Sequence, residues 1–172
     1  IKEQQLREKL NDINTVISAV PYFLNEKITD MAVEVGYNLV DLGGNTEIVR
    51  KQLRKDSLAI NSCICITPDC GMGTGMNITL ALLVMEQFDK PISIKIYDGG
   101  LPQNPKEPWN YNLFFNINGL TNEYDGSATF LRDSKITNVD CFEDIELLEF
   151  ENIGSLEASV TSGGLSTMPW TY

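Results

Sequence analysis

The chain has 172 residues and a mass of 19.2 kDa, a size that suits one or two domains. Its 24 acidic and 13 basic residues give a net charge of −11, which argues against binding to nucleic acid or an anionic membrane, because both need a positive face. No apolar run approaches the roughly 20 residues of a membrane span, and no secretory signal opens the chain. We therefore expect a cytoplasmic protein with neither nucleic acid nor a membrane as a partner.

The lack of histidine and the spacing of four cysteines limit the chemistry of the chain. Without histidine, it can form neither a Ser-His nor a Cys-His pair, nor a histidine-ligated metal site. Cys63, Cys65, Cys70 and Cys141 lack the CxxC pairs that are typical of zinc sites. We expect reduced thiols in a core role and no metal, with a metal or disulfide role as the less favoured alternative.

The first part of the chain alternates between helical and strand patterns. Leu6, Leu10 and Ile13 recur at helical spacing and predict a short surface helix. Asn25 is predicted to cap a helix that ends at Gly36. Strands are predicted at 15–20, 37–42 and 63–67, and a further helix at 46–57. Three strands with two helices between them indicate a parallel α/β unit with right-handed crossovers.

A glycine-rich segment at 68–77 separates this pattern from the rest of the chain. Three alternate glycines follow a strand and open a helix, but the third glycine of a GxGxxG fingerprint would fall on Met76. A tight turn between domains is therefore favoured over phosphate binding. The apolar residues that follow, up to Phe88, predict a helix that is buried on most sides.

After Pro91 the pattern changes to an alternation of apolar and polar residues, which is typical of half-buried antiparallel strands. Such strands are predicted at 92–97, 113–117, 128–131, 145–150 and 157–161. A stretch rich in serine and glycine at 161–167 is interpreted as a turn rather than an anion-binding loop. We place the boundary between the two halves of the chain between residues 76 and 77.

Asp69 stands at the carboxyl end of the third predicted strand, where open α/β sheets place their ligands. A carboxylate in that position could accept a proton or bind an ammonium group. It could equally cap the glycine-rich turn that follows. Both interpretations of this residue stay open.

Six short sequence motifs, taken in order, are spread over nearly the whole chain. They are VISAVPYFLN (16–25), VDLGGN (40–45), PDCG with GMN (68–77), GGLPQNP (99–105), YNLFF with GLTNEY (111–124) and SGGLST with a following proline (162–169). This order resembles the saccharopine dehydrogenase-like family. The sequence departs from the family pattern at Gly73-Thr74-Gly75, where relatives usually carry a proline before the last glycine.

The resemblance implies an α/β plus α+β protein in two parts. Residues 1–76 would be the second half of the parallel sheet of a Rossmann-type NAD(P)-binding domain, without the GxGxxG fingerprint that opens this domain in the family. Residues 77–172 would be a truncated α+β domain with a mixed or antiparallel sheet, which serves substrate binding and dimerisation. A homodimer is therefore the expected assembly.

In function, the resemblance implies an oxidoreductase that uses NAD, or alternatively NADP, and acts on the amine of lysine or of a lysine-derived amino acid. Hydride would pass from the amine carbon to the nicotinamide, and water would hydrolyse the imine to a semialdehyde. An acidic chain would suit a cationic amine substrate. Two alternatives stay open: a saccharopine or carboxynorspermidine type of dehydrogenase, and a non-catalytic fragment or diverged relative that acts as a dimerisation or binding module.

The same resemblance assigns the site residues. Those along the cofactor would be Ala19, Val20, Pro21, Asp41, Gly43 and Gly44. The substrate pocket would contain Cys70, Gly71, Met72, Asn77, Gly99, Gly100, Leu101, Tyr111 and Phe115. Because the chain has no histidine, the general base would be a carboxylate, a tyrosine, a lysine or water, with Asp69 as the first choice and Glu123 as the second.

Overall fold

A computed structural model describes residues 3–162 and 167–172 of the chain. The chain divides into two compact units, Ile1–Met76 and Asn77–Tyr172. Each unit mixes helices and strands, so the expected mixed α/β class is confirmed at this level. None of the helices in the described ranges combines the length and the apolar character that are needed to cross a membrane.

The first unit contains the predicted parallel sheet. Its elements are α1 (Glu3–Leu10), β1 (Thr15–Ser18), a 3₁₀ turn (Tyr22–Leu24), α2 (Asn25–Val35), β2 (Asn38–Asp41), α3 (Thr46–Leu53), α4 (Asp56–Asn61), β3 (Ile66–Thr67) and a π-type turn (Met72–Met76). The three strands pair in parallel in the order β1-β2-β3, with Ser18 opposite Asp41 and Leu39 opposite Ile66. The carboxyl ends of the strands therefore lie at one edge of the sheet.

Helix α2 and the central strand β2 supply the core of the first unit. Met31 and Ala32 on α2 pack with Tyr37 and Leu39, and all four side chains are buried. Full burial of a side chain such as Leu39 contributes about 1.5–3 kcal/mol to folding. Gly36 ends α2 with a left-handed φ of 92°, as its position in the sequence predicts.

Three acidic residues spaced four apart on α2 form ion pairs with two neighbouring parts of the unit. Glu26 pairs with Lys51 at 3.2 Å and Asp30 with Lys55 at 2.5 Å, so both bonds tie α2 to the segment that carries α3. Glu34, one turn further, pairs with Arg7 of α1. Residues four apart share one side of a helix, so this acidic stripe is a continuous feature of α2.

Three predicted details of the first unit are wrong. The single helix predicted at 46–57 is two helices, because Arg54 closes α3 with a bond to Arg50 and α4 starts at Asp56. The predicted strand at 63–67 is reduced to Ile66–Thr67, since Cys63 adopts a left-handed φ of 53°. Asn25 does not cap α2 but is its first residue, buried and bonded to Ser18.

The predicted core role of the cysteines is also wrong. Cys63, Cys65 and Cys70 are exposed, Cys141 is half-buried, and all four thiols are free. The strand that would have buried two of them is too short, because the chain reaches β3 only at Ile66.

The second unit contains two separate antiparallel hairpins. Its elements are α5 (Asn77–Met85), α6 (Ile117–Glu123), β4 (Ser127–Arg132), β5 (Lys135–Asp140), β6 (Glu146–Phe150), β7 (Gly154–Ala158) and α7 (Met168–Thr171). Strand β4 pairs with β5 and β6 with β7. Ala128 of β4 and Val139 of β5 form a small core with Val160.

Several predicted strands of the second unit agree with these hairpins and others do not. The segment at 128–131 lies within β4 and that at 145–150 covers the whole of β6, whereas that at 157–161 overlaps β7 only at its end. Residues 92–97 form no strand, and their contacts with the start of β6 are made by side chains: Lys95 Nζ and Tyr97 Oη both bond to Glu146, at 2.5 and 2.7 Å.

Two helical features also differ from the prediction. Residues 113–117 form no strand and lead instead into α6, whose first N–H groups are capped by Asn116, with Oδ1 accepting from Asn118 at 2.9 Å. Helix α5 is apolar but not enclosed, since Ala81 alone is buried among its described residues and Leu83 is 57% exposed. The predicted turn at 161–167 falls mainly on residues 163–166, which lie outside the described residues.

Candidate functional site

The loops that follow the three parallel strands lie side by side at the carboxyl edge of the sheet. The backbone N–H of Leu42, just after β2, donates to the carbonyl oxygen of Ser18 at the end of β1 at 3.3 Å. The N–H of Cys70, after β3, donates to the carbonyl of Asp41 at 2.8 Å. This edge is where parallel sheets carry their ligand sites. All six residues that the resemblance assigns to the cofactor lie in or next to these loops.

Asp41 holds two of these loops in place. Its side chain is fully buried, and Oδ1 accepts hydrogen bonds from the backbone N–H of Gly43 at 2.7 Å and of Asp69 at 3.1 Å. The other oxygen, Oδ2, accepts from Nε2 of Gln52 at 2.6 Å. Three donors compensate for the burial of one carboxylate. Asp41 therefore positions the loops that follow β2 and β3 and presents no side-chain surface to a ligand.

The contacts of Asp41 continue into a buried polar network beneath the sheet edge. Gln52 also donates from Nε2 to Oγ1 of Thr29 at 2.9 Å, and that hydroxyl donates to the carbonyl of Asn25 at 2.8 Å. Ser18 donates to Oδ1 of Asn25 at 3.0 Å. Sequence reasoning missed this network. The one signal was the polar residues Thr29 and Gln52 within otherwise amphipathic helical patterns.

Glycines at this edge are required because the chain packs closely against itself. A Cβ on Gly43, whose φ is 70°, would lie 1.9 Å from Oδ1 of Asp69. A Cβ on Gly71 would lie 2.2 Å from the carbonyl oxygen of Leu42, and one on Gly75 would lie 2.6 Å from the Cα of Cys70. The glycine-rich segment is thus a tight turn, as predicted, and the space beside Gly71 and Gly75 is filled by backbone of Leu42 and Cys70.

The remaining residues assigned to the cofactor are mostly accessible. Ala19, Val20 and Gly44 are exposed and Pro21 is half-buried. Gly44 has a φ of 116° and packs against Tyr22, since a Cβ there would lie 3.3 Å from the Tyr22 Cβ. This edge therefore offers a ligand the accessible residues Ala19 and Gly44 together with the partly exposed side chains of Val20 and Leu42, which are 40% and 45% exposed.

Residues after β3 differ in what they offer chemically. Asp69 is 7% exposed with a left-handed φ of 67°, a conformation that its bond to Asp41 helps to hold. Burial, and then the carboxylates of Asp41 and Asp69, raise the pKa of the Cys70 thiol. A neutral thiol is a weak nucleophile, so Cys70 is not activated for covalent chemistry. Met72, in the turn, is 58% exposed.

A second group of predicted residues comes together within the second unit. Asn77, the first residue of α5, donates from Nδ2 to Oδ2 of Asp98 at 3.2 Å. Burial, and then the carboxylate of Asp98, raise the pKa of Glu123. Burial and then Glu123 raise the pKa of Tyr111, and the same two causes act on Tyr124. These five residues form what we call the acidic cluster.

The acidic cluster contains residues that the sequence did and did not single out. Asn77, Tyr111 and Glu123 were assigned to the site, whereas Asp98 was missed although it directly precedes the Gly99-Gly100 pair. The carbonyl of Glu123 accepts from the Cys141 thiol at 3.6 Å, which fixes the end of α6.

The other residues assigned to the substrate pocket show fewer contacts. Gly99 and Gly100 are exposed, and a Cβ on Gly100 would meet nothing within 4 Å. Leu101 is 50% exposed. The ring of Phe115 packs against Gly119 of α6, where a Cβ would lie 3.3 Å from it. Asp69 belongs to the first unit and Glu123 to the second.

Comparison with known protein families gives no assignment, since no family model matches the chain. Among the described residues, no group of three or more acidic or cysteine side chains is arranged to hold a metal ion. The chemistry available here is that of carboxylates, tyrosines and exposed backbone.

Proposed function

We propose that the chain is part of an NAD(P)-dependent oxidoreductase of the saccharopine dehydrogenase-like family, which acts on the amine of lysine or of a lysine-derived amino acid and most resembles L-lysine 6-dehydrogenase. The observation that supports this best is the carboxyl edge of the parallel sheet. There Asp41 holds the two loops that follow β2 and β3, and Ala19, Val20 and Gly44 are exposed beside them. A homodimer is part of the same proposal.

The residues at this edge suit the nicotinamide end of the cofactor. Ala19, Val20 and Gly44 expose backbone and small side chains against which a flat ring could lie. When bound, NAD(P) would supply the hydride acceptor. Gly71 and Gly75 do not suit the pyrophosphate, because the space beside them is already occupied by the chain's own backbone. The pyrophosphate cradle is therefore assigned to a part of the protein other than this turn.

The acidic cluster suits the amine substrate. A cationic amine is attracted to carboxylates, and Asp98 and Glu123 supply two in one group. The raised pKa of Glu123 brings its titration closer to neutral pH, which favours a carboxyl group that exchanges a proton. By its position at the sheet edge Asp69 is still the first candidate for the base, and the raised pKa supports Glu123 as the second.

The test is amine-dependent reduction of NAD or NADP by the complete polypeptide, measured by the absorbance of the reduced nicotinamide. Lysine, saccharopine and a polyamine would be compared as substrates. We expect turnover with lysine, and loss of kcat in Asp69→Asn or Glu123→Gln but not in the exposed control Glu151→Gln. If no amine gives turnover and the dinucleotide does not bind, the proposed function is wrong.

A second candidate is a dimerisation or binding module without catalysis. It is favoured by the apolar surface of α5, where Leu80, Leu83 and Val84 are each at least half exposed. Sedimentation of the protein with and without NAD separates the two. A dimer that binds no dinucleotide would favour the module over the enzyme.

A further inference from the structure

The segment of residues 86–116, which joins α5 to α6, contains neither a helix nor a strand. Within it, the backbone of residues 91–100 forms no hydrogen bond with any other described residue. These residues are exposed, except for the half-buried Ile96. A loop of this length without secondary structure is uncommon in a compact unit and is often functional. The position of residues 91–100 is therefore set by side-chain contacts.

Three such contacts are made by residues 95–98. Lys95 donates from Nζ to Oε1 of Glu146 at 2.5 Å, and Tyr97 donates from Oη to Oε2 of the same carboxylate at 2.7 Å. Asp98 accepts at Oδ2 from Nδ2 of Asn77 at 3.2 Å. Among the described residues, these are the hydrogen bonds that tie residues 91–100 to the rest of the second unit. Two of the three depend on one glutamate.

Glu146 is well placed to anchor this segment. It is the first residue of β6, and its backbone is aligned with Ala158 in the ladder of the second hairpin. The bond from Lys95, and then that from Tyr97, lower the pKa of Glu146, so its carboxylate is ionised at neutral pH. Each oxygen of the carboxylate then accepts from one donor of the loop, and such charge-assisted bonds are the stronger kind.

The anchored segment carries a charge of the acidic cluster. Asp98 directly follows Tyr97, and its carboxylate, after burial, raises the pKa of Glu123. Burial and then Glu123 raise the pKa of both Tyr111 and Tyr124, so these two neighbours are uncharged at neutral pH. Since the interaction of two charges weakens with distance, the effect of Asp98 on Glu123 depends on where the loop is held.

We propose that Glu146 is a positioning residue for the acidic cluster: it anchors the loop through Lys95 and Tyr97 and so keeps the carboxylate of Asp98 close to Glu123. The proposal rests on the proposed function, which makes Glu123 a candidate for proton exchange with the amine substrate.

The titration of Glu123 reports the position of Asp98 without substrate or dinucleotide. It would be followed by carbon NMR of the Glu123 side-chain carboxyl, with Glu123→Gln to assign the signal. We expect Glu146→Ala to lower the pH at which Glu123 titrates, and Asp98→Asn to lower it at least as far. Glu149→Ala is the matched control, because it removes the same charge from the same strand but bonds to Ser155 instead of the loop. It should leave the titration unchanged.

A double variant separates positioning from a general loosening of the unit. If Glu146 acts through Asp98, then Glu146→Ala in the Asp98→Asn background should cause no further shift. If Glu146→Ala instead exposes Glu123 to water, the shift would persist in that background, and the proposal is wrong. It is also wrong if Glu146→Ala alone leaves the titration unchanged, or if Glu149→Ala shifts it equally.

The opposite side of the anchor provides a test that leaves β6 intact. Lys95→Met combined with Tyr97→Phe removes both donors and should shift the titration of Glu123 as Glu146→Ala does. No shift in this variant would overturn the proposal even where Glu146→Ala does not fold.

The positioning role and the proposed function can fail separately. A shifted titration in a protein that turns over no amine would support the role of Glu146 and contradict the oxidoreductase. Turnover of lysine by a protein whose Glu123 titration does not respond to Glu146→Ala would do the reverse.

Discussion

The backbone N–H of Asp69 donates a hydrogen bond to Oδ1 of Asp41 at 3.1 Å, although the two residues are 28 positions apart in the chain. The same oxygen accepts from Gly43 at 2.7 Å. One buried carboxylate thereby fixes two loops at the carboxyl edge of the sheet. The arrangement uses both oxygens of the Asp41 side chain as acceptors, and this can be tested.

Asp41→Asn is expected to destabilise the protein by about 1–3 kcal/mol. The amide keeps one oxygen for Gly43 and Asp69, but its NH₂ group would face Nε2 of Gln52, which is also a donor. Urea unfolding would measure the loss. The exposed substitution Asp12→Asn serves as the control and should change the free energy of unfolding little.

A second substitution tests whether the donor conflict is the cause. Gln52→Glu in the Asp41→Asn background exchanges donor and acceptor between the two side chains and keeps one carboxylate in the pair. We expect the double variant to recover part of the lost stability, as a non-additive coupling in a double-mutant cycle. Simple additivity of the two losses would contradict the role assigned to Asp41.

Gly43→Ala is expected to destabilise more than Gly36→Ala. Both residues have positive φ values, 70° and 92°, so each alanine meets backbone strain of about 1–2 kcal/mol. At Gly36 the added Cβ would meet nothing within 4 Å, whereas at Gly43 it would lie 1.9 Å from Oδ1 of Asp69. Thermal unfolding measures the stability of the two variants. Because both share the backbone strain, the difference between their losses of stability gives the cost of the clash. Equal losses would mean that the loop after β3 moves away at no cost.

Glu123 should make the stability of the second unit depend on pH in an unusual direction. Burial, and then Asp98, raise its pKa, so the folded state holds the proton more tightly than the unfolded chain does. Stability contributed by this group is present at low pH and is lost as the pH rises from the ordinary carboxyl value through the raised value. The free energy of unfolding, measured by urea titration across this range, should fall with pH to that extent.

Glu123→Gln removes this ionisation and should flatten the decline, which makes the variant relatively more stable at neutral pH. Glu151→Gln, at an exposed position, is the matched control. If the free energy of unfolding depends on pH in the same way in Glu123→Gln and in the original protein, the burial of Glu123 does not contribute to the pH dependence of stability.

Asn45 caps helix α3, with Oδ1 accepting from the N–H of Ile48 at 3.1 Å. Asn45→Ala removes this acceptor and should cost about 1 kcal/mol. Asn45→Asp keeps the acceptor and adds a charge that suits the start of a helix, so its cost should be near zero. Comparison of the two variants by chemical unfolding distinguishes capping from general loss of the side chain.

The parallel sheet could be predicted because its signals are local and strong. The helix from 25 to 36 and the strands on either side of it have clear periodicity, and Gly36 marks a left-handed end. These features coincide with α2, β1 and β2 within one or two residues at most ends. For these elements, local propensity and burial favour the same structure.

Other elements could not be predicted because their structure depends on contacts distant in sequence. Residues 92–97 have a strand pattern, but Lys95 and Tyr97 bond through their side chains to Glu146, about 50 positions away. Cys63 and Cys65 are exposed, and Cys63 has a left-handed φ of 53°. No residue propensity predicts this conformation for a cysteine.

The candidate site, like the fold, could be predicted only in part. The sequence could place residues at the carboxyl edge of the sheet, since strand order and the glycine pairs indicate it. It could not show that Asp41 faces inward to Gln52, because that contact joins two separate elements. In the second unit, Asn77, Tyr111 and Glu123 were singled out, but their relation to Asp98 appears only in three dimensions.

The acidic stripe of α2 helps to determine which segment of the first unit packs at each end of this helix. The apolar core attracts without direction, so it does not by itself tell the helix on one flank from the helix on the other. The ion pairs do, because Glu26 and Asp30 meet lysines whereas Glu34 meets Arg7. Each exposed pair contributes at most about 1 kcal/mol to stability. The stripe therefore matters less for stability than for orientation, because it favours α1 at one end of α2 and the lysine-bearing segment at the other.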